Sequence, residues 1–273
     1  MVEQTLRKTV ELLRDLNTYP CFHCDHQEPR FCVYRAGKCA NLQPRYRGVF
    51  PDRESALAAM PASKPRGFDN DAMVQSFQQH LSTFNQSDYP VLLRLVQILR
   101  PGDLVFDLGG GYGQCYLSYK EHIVFPEDMK WLVCDVESFL LSGRRIAEDR
   151  NEAALAFTSN WSDASGSSVY LTNGALQYIE PDLSEILGGL SVKPPYVLVN
   201  RAPAYEGEPY YTIQYAEGAY NPYKVMNTRS FIARMEAIGY RMADTWMLPR
   251  KLRVPLHPSL SVSGYQGFFF MLK

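Results

Sequence analysis

The segment Asp103-Leu-Val-Phe-Asp-Leu-Gly-Gly-Gly-Tyr-Gly113 decides the fold, because it joins a short apolar strand to a glycine-rich turn. The strand, residues 104–108, follows the turn Pro101-Gly102 and carries one acid, Asp107, near its end. Glycine lets a backbone turn tightly and lets a ligand approach without a Cβ in the way. The segment therefore predicts a buried strand that ends at a ligand-binding loop built on Gly109, Gly111 and Gly113.

A second acid follows the next apolar run. Residues 131–134 are predicted to form a strand, and Asp135 comes directly after them. An acid at this place in a nucleotide-binding α/β fold accepts hydrogen bonds from both ribose hydroxyls, while the carboxylate of Asp107 is suited to bind an amino group, directly or through water. The pair predicts S-adenosylmethionine (SAM) as the ligand, bound across residues 107–113. The alternative is an ordinary strand-to-helix turn in which Asp135 caps a helix.

Two other nucleotide-binding motifs do not fit this turn. A Gly-x-Gly-x-x-Gly fingerprint that began at Gly109 would end at Gln114, and one that began at Gly111 would end at Tyr116. The spacing therefore disfavours a nicotinamide or flavin site. A Gly-Lys-Ser or Gly-Lys-Thr phosphate loop is also absent from the sequence.

Beyond the turn, short apolar runs alternate with helical patterns, which is typical of a parallel sheet covered by helices on both faces. The last two runs are separated by a loop too short for a crossover helix, so the last strand is expected to pair antiparallel with its neighbour. This pattern predicts an α/β, Rossmann-like, class I methyltransferase sheet of seven strands with a reversed last strand. The five further strands are residues 155–158, 169–172, 196–200, 241–248 and 267–272.

The chain before residue 101 has a different pattern. Residues 69–84 and 89–100 are predicted to be helical, whereas residues 46–68 carry prolines and glycines and are predicted to form a loop. We expect residues 1–100 to form an N-terminal helical cap and residues 101–273 to form the SAM-binding catalytic domain.

Composition narrows the class of partner. The 273-residue chain is 46% hydrophobic and 13% aromatic, which is enough to fill a core and to line a ligand pocket. Its net charge of -1 gives no electrostatic case for nucleic acid or for an anionic membrane surface. Residues 1–16 resemble a charged amphipathic helix, not a secretory signal, and no apolar run approaches the ~18 residues of a membrane span. We expect a cytoplasmic protein that binds a small molecule.

Seven sequence segments share a family pattern: Tyr46-Arg-Gly-Val-Phe50, Phe106-Asp-Leu-Gly-Gly-Gly-Tyr-Gly113, Trp131-Leu-Val-Cys-Asp135, Leu176-Gln-Tyr-Ile-Glu180, Val199-Asn-Arg-Ala-Pro203, Thr212-Ile-Gln214, and Gly239-Tyr240 with Trp246. Over about residues 46–273 the sequence thereby resembles a bacterial family of SAM-dependent methyltransferases found in polysaccharide and natural-product gene clusters. The resemblance implies the class I fold and SAM, but it does not indicate the acceptor.

Two places differ from the commoner pattern of that family. This sequence has Thr172-Asn173-Gly174 where many members carry a serine, and it has Tyr210-Tyr211 before Thr212. Both features resemble the branch that cyclises SAM, in which the amino group attacks its own γ-carbon and gives azetidine-2-carboxylate and methylthioadenosine. The resemblance implies that Asn173 accepts a hydrogen bond from the amino group and that the two tyrosine rings face the sulfonium.

Three functions remain open at this point. Cyclisation of SAM is favoured, because the two departures are expected to face the cofactor. The second is methyl transfer to an external small molecule, such as a natural-product or sugar precursor, and the third is a module that binds SAM without consuming it. In the second function a tyrosine or a carboxylate assists deprotonation of the acceptor. The alternative roles of the residues themselves are that Asn173 is a turn residue that satisfies backbone groups and that Tyr210 and Tyr211 pack a loop over the core.

Six other residues are candidates for the same site. Three of them, Asn160, Trp161 and Asp163, follow the third strand and are predicted to border the adenine, although a tryptophan here also suits the core. Arg201 follows the fifth strand and is suited to meet a carboxylate or to form a surface salt bridge. Gln177 and Tyr178 are predicted either to line the pocket or to begin the next helix.

The cysteines suggest a separate site. Four of the six lie within residues 21–39, with two histidines nearby. Thiolates and imidazoles in a reducing compartment favour a structural metal over disulfides, although the spacing of the second pair is longer than in a standard zinc knuckle. The sequence predicts structural zinc or another metal; the alternative is a set of small buried residues. The proposed ligands are Cys21, Cys24, Cys32 and Cys39.

Overall fold

The structure is a computed structural model that describes residues 45–62, 65–70, 73–75, 84–216, 219–254 and 257–273. The strands are β1 (Tyr46–Phe50), β2 (Leu104–Leu108), β3 (Lys130–Cys134), β4 (Leu155–Thr158), β5 (Val169–Asn173), β6 (Tyr196–Ala202), β7 (Ala204–Tyr205), β8 (Tyr210–Ala216), β9 (Ala219–Asn227), β10 (Tyr240–Leu248) and β11 (Tyr265–Leu272). Helices with both ends in the described part are α1 (Arg53–Ala58), α2 (Tyr89–Ile98), α3 (Gln114–Tyr119), α4 (Glu137–Asp149), α5 (Leu183–Gly188) and α6 (Thr228–Ala237). Short 3-10 helices lie at Gln86–Asp88, Trp161–Ala164, Leu176–Tyr178 and Pro258–Leu260.

The larger sheet has seven strands in the order β10-β11-β6-β5-β2-β3-β4. Strands β2 to β6 pair in parallel, whereas β11 runs antiparallel to both β6 and β10. The predicted seven-stranded α/β sheet with its reversed last strand is therefore confirmed.

Both faces of this sheet are buried. Val105 of β2 belongs to one apolar cluster together with Trp131 and with Leu95 of α2. Phe106, the next residue, belongs to a second cluster that includes Phe231 of α6. Successive side chains of a strand point to opposite faces, so helices on both sides are needed to cover them. This explains why the central strands of the larger sheet are nearly continuous apolar runs in the sequence, whereas the edge strand β10 is largely exposed.

A second sheet has four strands in the order β1-β8-β9-β7. The prediction that residues 46–68 form a loop is wrong, because they contain β1 and helix α1. The carboxylate of Asp52 caps α1 by accepting a hydrogen bond from the amide of Ser55 at 2.7 Å. Strand β1 finds its partner far along the chain, with Tyr46 opposite Gln214. A pairing at this separation cannot be inferred from the local sequence pattern.

Some predictions concern residues outside the described part. Cys21, Cys24, Cys32 and Cys39 lie there, so a metal site on them stays a prediction, and so does the division of the chain at residue 100. Most of the predicted helix 69–84 lies there too, whereas α2 confirms the helix predicted after it. Among the described residues, no group of three or more histidine, cysteine or acidic side chains is arranged to hold a metal. No helix in the same residues is both long enough and apolar enough to cross a membrane.

Candidate functional site

A cavity of about 700 Å³ lies at the carboxyl ends of β2, β3 and β5 and is bounded on its other side by the four-stranded sheet. Strand β2 has β3 on one side and β5 on the other, and ligands of open α/β sheets bind where the strand order reverses in this way. We call two parts of its lining the glycine wall (Gly109–Gly111, Asp135 and Asn173–Ala175) and the arginine wall (Arg45, Arg53, Arg66, Arg250 and Asn221).

The glycine turn needs glycine for two different reasons. Gly109, Gly111 and Gly113 all have positive φ, at 72°, 61° and 91°. A Cβ on Gly109 would also lie 2.2 Å from the Cβ of Ala175, and one on Gly113 would lie 2.7 Å from a methyl group of Leu155. At Gly111 a Cβ would make only ordinary contacts, so its backbone conformation is the constraint.

Asp107 lies behind this turn and does not line the cavity. It is fully buried, and its Oδ2 accepts a hydrogen bond from Nε1 of Trp131 at 3.0 Å. Its Oδ1 has no hydrogen-bond partner among the described residues. Burial raises the pKa of Asp107 to about 7, against the opposing effect of the Trp131 hydrogen bond. The site thus contains a buried carboxylate with one oxygen available to a further donor.

Asp135 lines the cavity directly. Its Oδ2 accepts a hydrogen bond from the amide of Gly111 at 2.7 Å, and its Oδ1 accepts one from the amide of Val136 at 2.7 Å. Burial raises the pKa of Asp135 to about 6, although these two hydrogen bonds lower it. A carboxylate has about four lone-pair positions, so each oxygen retains capacity to accept from a ligand hydroxyl.

Asn173 lines the cavity at the end of β5, but protein groups already engage its amide. Its Nδ2 lies 3.1 Å from both Oδ1 of Asp88 and the hydroxyl of Tyr119, and its Oδ1 accepts from Nδ2 of Asn200 at 3.2 Å. Trp246 in turn donates to Asn200 at 2.9 Å. Asn173 is therefore part of a network that fixes its orientation, and its predicted contact with a ligand amine stays a prediction.

Asp88 is the centre of that network, and the sequence analysis missed it. Its side chain is buried just before α2, and Arg201 donates to its Oδ1 at 2.8 Å and to its Oδ2 at 2.9 Å. Burial raises the pKa of Asp88, while the Arg201 guanidinium acts to lower it. The carboxylate that Arg201 meets is thus an internal one. No local signal marks Asp88, because its partners lie on strands more than eighty residues later in the chain.

Tyr210 and Tyr211 do not line the cavity. They are successive residues of β8, so their rings lie on opposite faces of the smaller sheet. Tyr210 packs in an apolar cluster and donates to the carbonyl of Leu260 at 2.6 Å. Tyr211 packs near α1 and donates to the carboxylate of Glu180. The structure therefore gives no support to the prediction that the two rings face the sulfonium.

Asn160 and Trp161 are also absent from the cavity lining. Asn160 caps a 3-10 helix by accepting from the amide of Ser162 at 3.1 Å, and its own amide donates to Asp163 at 3.1 Å. The Trp161 ring packs against the apolar cluster under the sheet. These contacts match the alternative role of Trp161 as a core residue.

Gln177 and Tyr178 line the cavity beside the end of β5. The Tyr178 hydroxyl donates to Oε1 of Gln214 at 2.7 Å, which ties this rim to the smaller sheet. Nε2 of Gln177 donates to the carbonyl of Gly174, whereas its buried Oε1 has no partner among the described residues. Both residues are therefore placed to contact a bound molecule.

The arginine wall faces the cavity from the other side, and no sequence pattern indicated it. None of its four arginines forms a salt bridge with a carboxylate of the described residues. Arg66 donates to the carbonyl of Met60 at 3.1 Å, and the guanidinium of Arg250 lies 5.1 Å from the ring centre of Tyr265. Asn221, on β9, is 1% exposed, and its Nδ2 has no acceptor among the described residues. Within the part of the chain that the structure describes, the wall thus presents guanidinium groups without a carboxylate partner and one buried amide donor without an acceptor.

The sheet order and the cavity at its reversal point define the class I methyltransferase fold, and solved structures share it. A Listeria monocytogenes protein assigned as a SAM-dependent methyltransferase matches with a TM-score of 0.50 at 14% identity, over 68% of this chain and 98% of that one. Magnesium protoporphyrin IX methyltransferase from Synechocystis PCC 6803, solved with bound S-adenosylhomocysteine, matches with a TM-score of 0.53 at 12% identity, over 76% and 98%. At these identities the likeness establishes the fold. No family model and no curated protein matches the sequence.

Proposed function

We propose that this protein is a SAM-dependent methyltransferase that acts on a small-molecule acceptor. The observation that carries the proposal is the position of the glycine turn and Asp135 on one side of a cavity that extends to a second, chemically different wall. Its volume of about 700 Å³ lies within the range of small-molecule sites, ~300–1,000 Å³. The methyltransferase activities for which these proteins of the same fold are named support the proposal.

The glycine wall fits SAM in three respects. The positive-φ turn allows close approach to the backbone at Gly111, and Asp135 retains acceptor capacity for ribose hydroxyls. Behind this wall, the buried Oδ1 of Asp107 has no partner among the described residues, which costs about 1–3 kcal/mol or more, and a water that linked it to the ammonium group of SAM would remove that cost. When bound, SAM supplies an electrophilic methyl group on its sulfonium.

We assign Asp88 as the group that takes a proton from the acceptor. Its carboxylate lines the cavity, and its raised pKa makes it a better proton acceptor than an ordinary aspartate. Oδ1 of Asp88 accepts from Asn173, Asn200 and Arg201, whereas Oδ2 accepts from Arg201 alone among the described residues and retains capacity to accept from a hydroxyl or amine. Arg201 and Asn173 would then act as positioning residues.

Cyclisation of SAM, which the sequence favoured, is the weaker proposal. Its resemblance-based argument needs Tyr210 and Tyr211 at the sulfonium, and both rings lie away from the cavity. Asn173 remains at the cavity, but both polar atoms of its amide take part in the Asp88 network: Nδ2 donates to Asp88, and Oδ1 accepts from Asn200. The solved structures of the same fold carry methyltransferase names, which favours methyl transfer to an external acceptor.

The test is a product analysis of the full chain. The protein is incubated with SAM alone and with SAM plus a panel of hydroxylated and aminated small molecules, and mass spectrometry follows three products. Methyl transfer gives S-adenosylhomocysteine only in the presence of an acceptor. Equimolar methylthioadenosine and azetidine-2-carboxylate from SAM alone would establish cyclisation instead.

A variant separates binding from chemistry. Asp88→Asn is expected to keep the affinity for S-adenosylhomocysteine within about threefold, because Asp88 is assigned to the acceptor, and to lose at least about 100-fold in kcat. A matched control is Asp163→Asn, an exposed acid outside the cavity lining, which is expected to keep both properties. Unchanged kcat in Asp88→Asn would remove Asp88 from the mechanism, and failure of the native chain to bind SAM in calorimetry would remove the cofactor.

A further inference from the structure

We infer that the acceptor carries an anionic group, a phosphate or a carboxylate, and that the arginine wall binds it. The inference rests on the proposed function, since it assigns the glycine wall to SAM and leaves the arginine wall to the acceptor. It concerns side chains that the proposed transfer step does not use.

The first observation is the charge balance around the cavity. Among the acids that line it, Asp88 is paired with Arg201, and the carboxylate of Asp135 holds the glycine turn. Asp69 accepts a hydrogen bond from the amide of Ser138 at 3.1 Å. The four guanidinium groups of the arginine wall therefore have no carboxylate within salt-bridge distance among the described residues. A bound anion would supply the opposite charge that these guanidinium groups lack.

The second observation is the side chain of Asn221, which is independent of charge. It is 1% exposed, lines the cavity and has an Nδ2 without an acceptor. A buried donor left unpaired costs free energy, so an oxygen-rich ligand in the cavity would be stabilised there. Guanidinium and amide groups are both donors, and the planar fork of arginine matches the oxygens of phosphate or carboxylate. This wall therefore suits an anion and is poorly suited to a cation or an apolar group.

We assign to the arginine wall an anionic group other than the carboxylate of SAM. Asn221 belongs to β9 and Arg250 follows β10, whereas the glycine turn follows β2 across the cavity. Four arginines also exceed what one carboxylate requires. A second anionic group, carried by the acceptor, accounts for both the position and the number of these side chains.

The test measures anion binding to the full chain by calorimetry. Inorganic pyrophosphate probes the phosphate class and citrate probes the carboxylate class, each titrated with and without saturating S-adenosylhomocysteine. The variant is Arg45→Gln with Arg53→Gln, two exposed arginines of the wall. The matched control is Arg144→Gln with Arg145→Gln, two exposed arginines that do not line the cavity.

We expect at least one probe to bind the native chain and the control, and its affinity to fall at least tenfold in the Arg45/Arg53 variant. The affinity for S-adenosylhomocysteine should stay within about twofold, and the tighter probe identifies the class of anion. The inference is overturned if neither probe binds, if variant and control lose affinity equally, or if affinity for S-adenosylhomocysteine falls with that for the anion. Arginine-dependent anion binding without any binding of S-adenosylhomocysteine would support the anion site and remove the proposed function.

Discussion

The two walls of the cavity differ in charge, in the elements that form them, and in whether backbone or side-chain groups face the cavity. The glycine wall carries a carboxylate and is built on the strand ends of the larger sheet, with backbone groups of a short turn at its centre. The arginine wall is cationic, and it gathers side chains from residue 45 to residue 250. A backbone surface suits a ligand that never changes, whereas a side-chain surface can change its specificity by substitution. The comparison therefore separates what the fold determines from what this particular chain adds.

The largest effect expected from a single substitution tests how little change the glycine wall tolerates. In Gly109→Ala, the new Cβ would lie 2.2 Å from the Cβ of Ala175. The left-handed backbone adds about 1–2 kcal/mol of strain and overpacking about 1–3 kcal/mol, so the free energy of unfolding should fall by about 3 kcal/mol in urea denaturation. Gly166→Ala is the control, because its φ of 79° is equally strained but nothing lies within 4 Å of its Cβ. Equal losses in both variants would show that packing at Gly109 is unimportant.

The next effect concerns the acid of the glycine wall. Asp135→Ala removes the carboxylate assigned to the ribose, and hydrogen bonds to charged groups contribute about 1.5–3 kcal/mol. We expect the affinity for S-adenosylhomocysteine to fall about 30-fold, which is about 2 kcal/mol, in calorimetry. Asp163→Ala, which removes an acid outside the cavity lining, should leave the affinity nearly unchanged. A loss below threefold in Asp135→Ala would place the ribose elsewhere.

The acid behind the glycine wall predicts a pH dependence of stability. Burial raises the pKa of Asp107 in the folded protein from 3.8 to about 7, so between these values the folded state binds more protons than the unfolded state. The free energy of unfolding of the ligand-free chain should therefore fall as pH rises through this window, by up to about 1.36 kcal/mol per pH unit. Urea denaturation at several pH values measures this slope. Asp107→Asn should reduce this slope and leave the part due to Asp135, whose pKa is raised to about 6, whereas an identical slope in the variant would assign all of it to other groups.

The smallest expected effect is a salt dependence of binding that tests the difference in charge between the two walls. Raising the salt from about 0.05 to 0.3 M shortens the Debye length and weakens contacts to exposed arginines. The affinity for pyrophosphate should fall severalfold, whereas that for S-adenosylhomocysteine should change less than twofold. Calorimetry on the same preparation measures both. Equal salt dependence would contradict a division of the cavity into two electrostatically different walls.

The larger sheet was predictable from the sequence because its signals are local. Most of its strands are short apolar runs that end at a turn residue, and burial on both faces makes such runs conspicuous, whereas the edge strand β10 is largely exposed. The glycine turn and its two acids belong to the same local pattern. Strand β9 gave a weaker signal, since it contains Pro222 and Lys224 among its apolar residues.

The parts of the site that the sequence did not indicate depend on long-range contacts. Asp88 follows Ser87 in a polar stretch that resembles an ordinary helix start, and only its pairing with Arg201 marks it. The arginines of the second wall are ordinary surface residues until the smaller sheet brings them to one cavity. The sequence did not show that Tyr210 and Tyr211 lie away from the cavity. The face of β8 that each ring occupies depends on the register of that strand, and the register is set by pairing with distant strands.

The pairing of β1 with β8 has a consequence for synthesis of the chain on the ribosome. Tyr46 can pair with Gln214 only after Gln214 has been synthesised. At about 5–20 residues per second, the segment between them takes roughly 10–30 s to be made. During that time β1 has no partner strand, although the β2–β5 part of the larger sheet has already been synthesised. The nascent chain therefore completes the strands of the glycine wall before those of the arginine wall, and β1 remains open to pairing with a wrong strand in the interval.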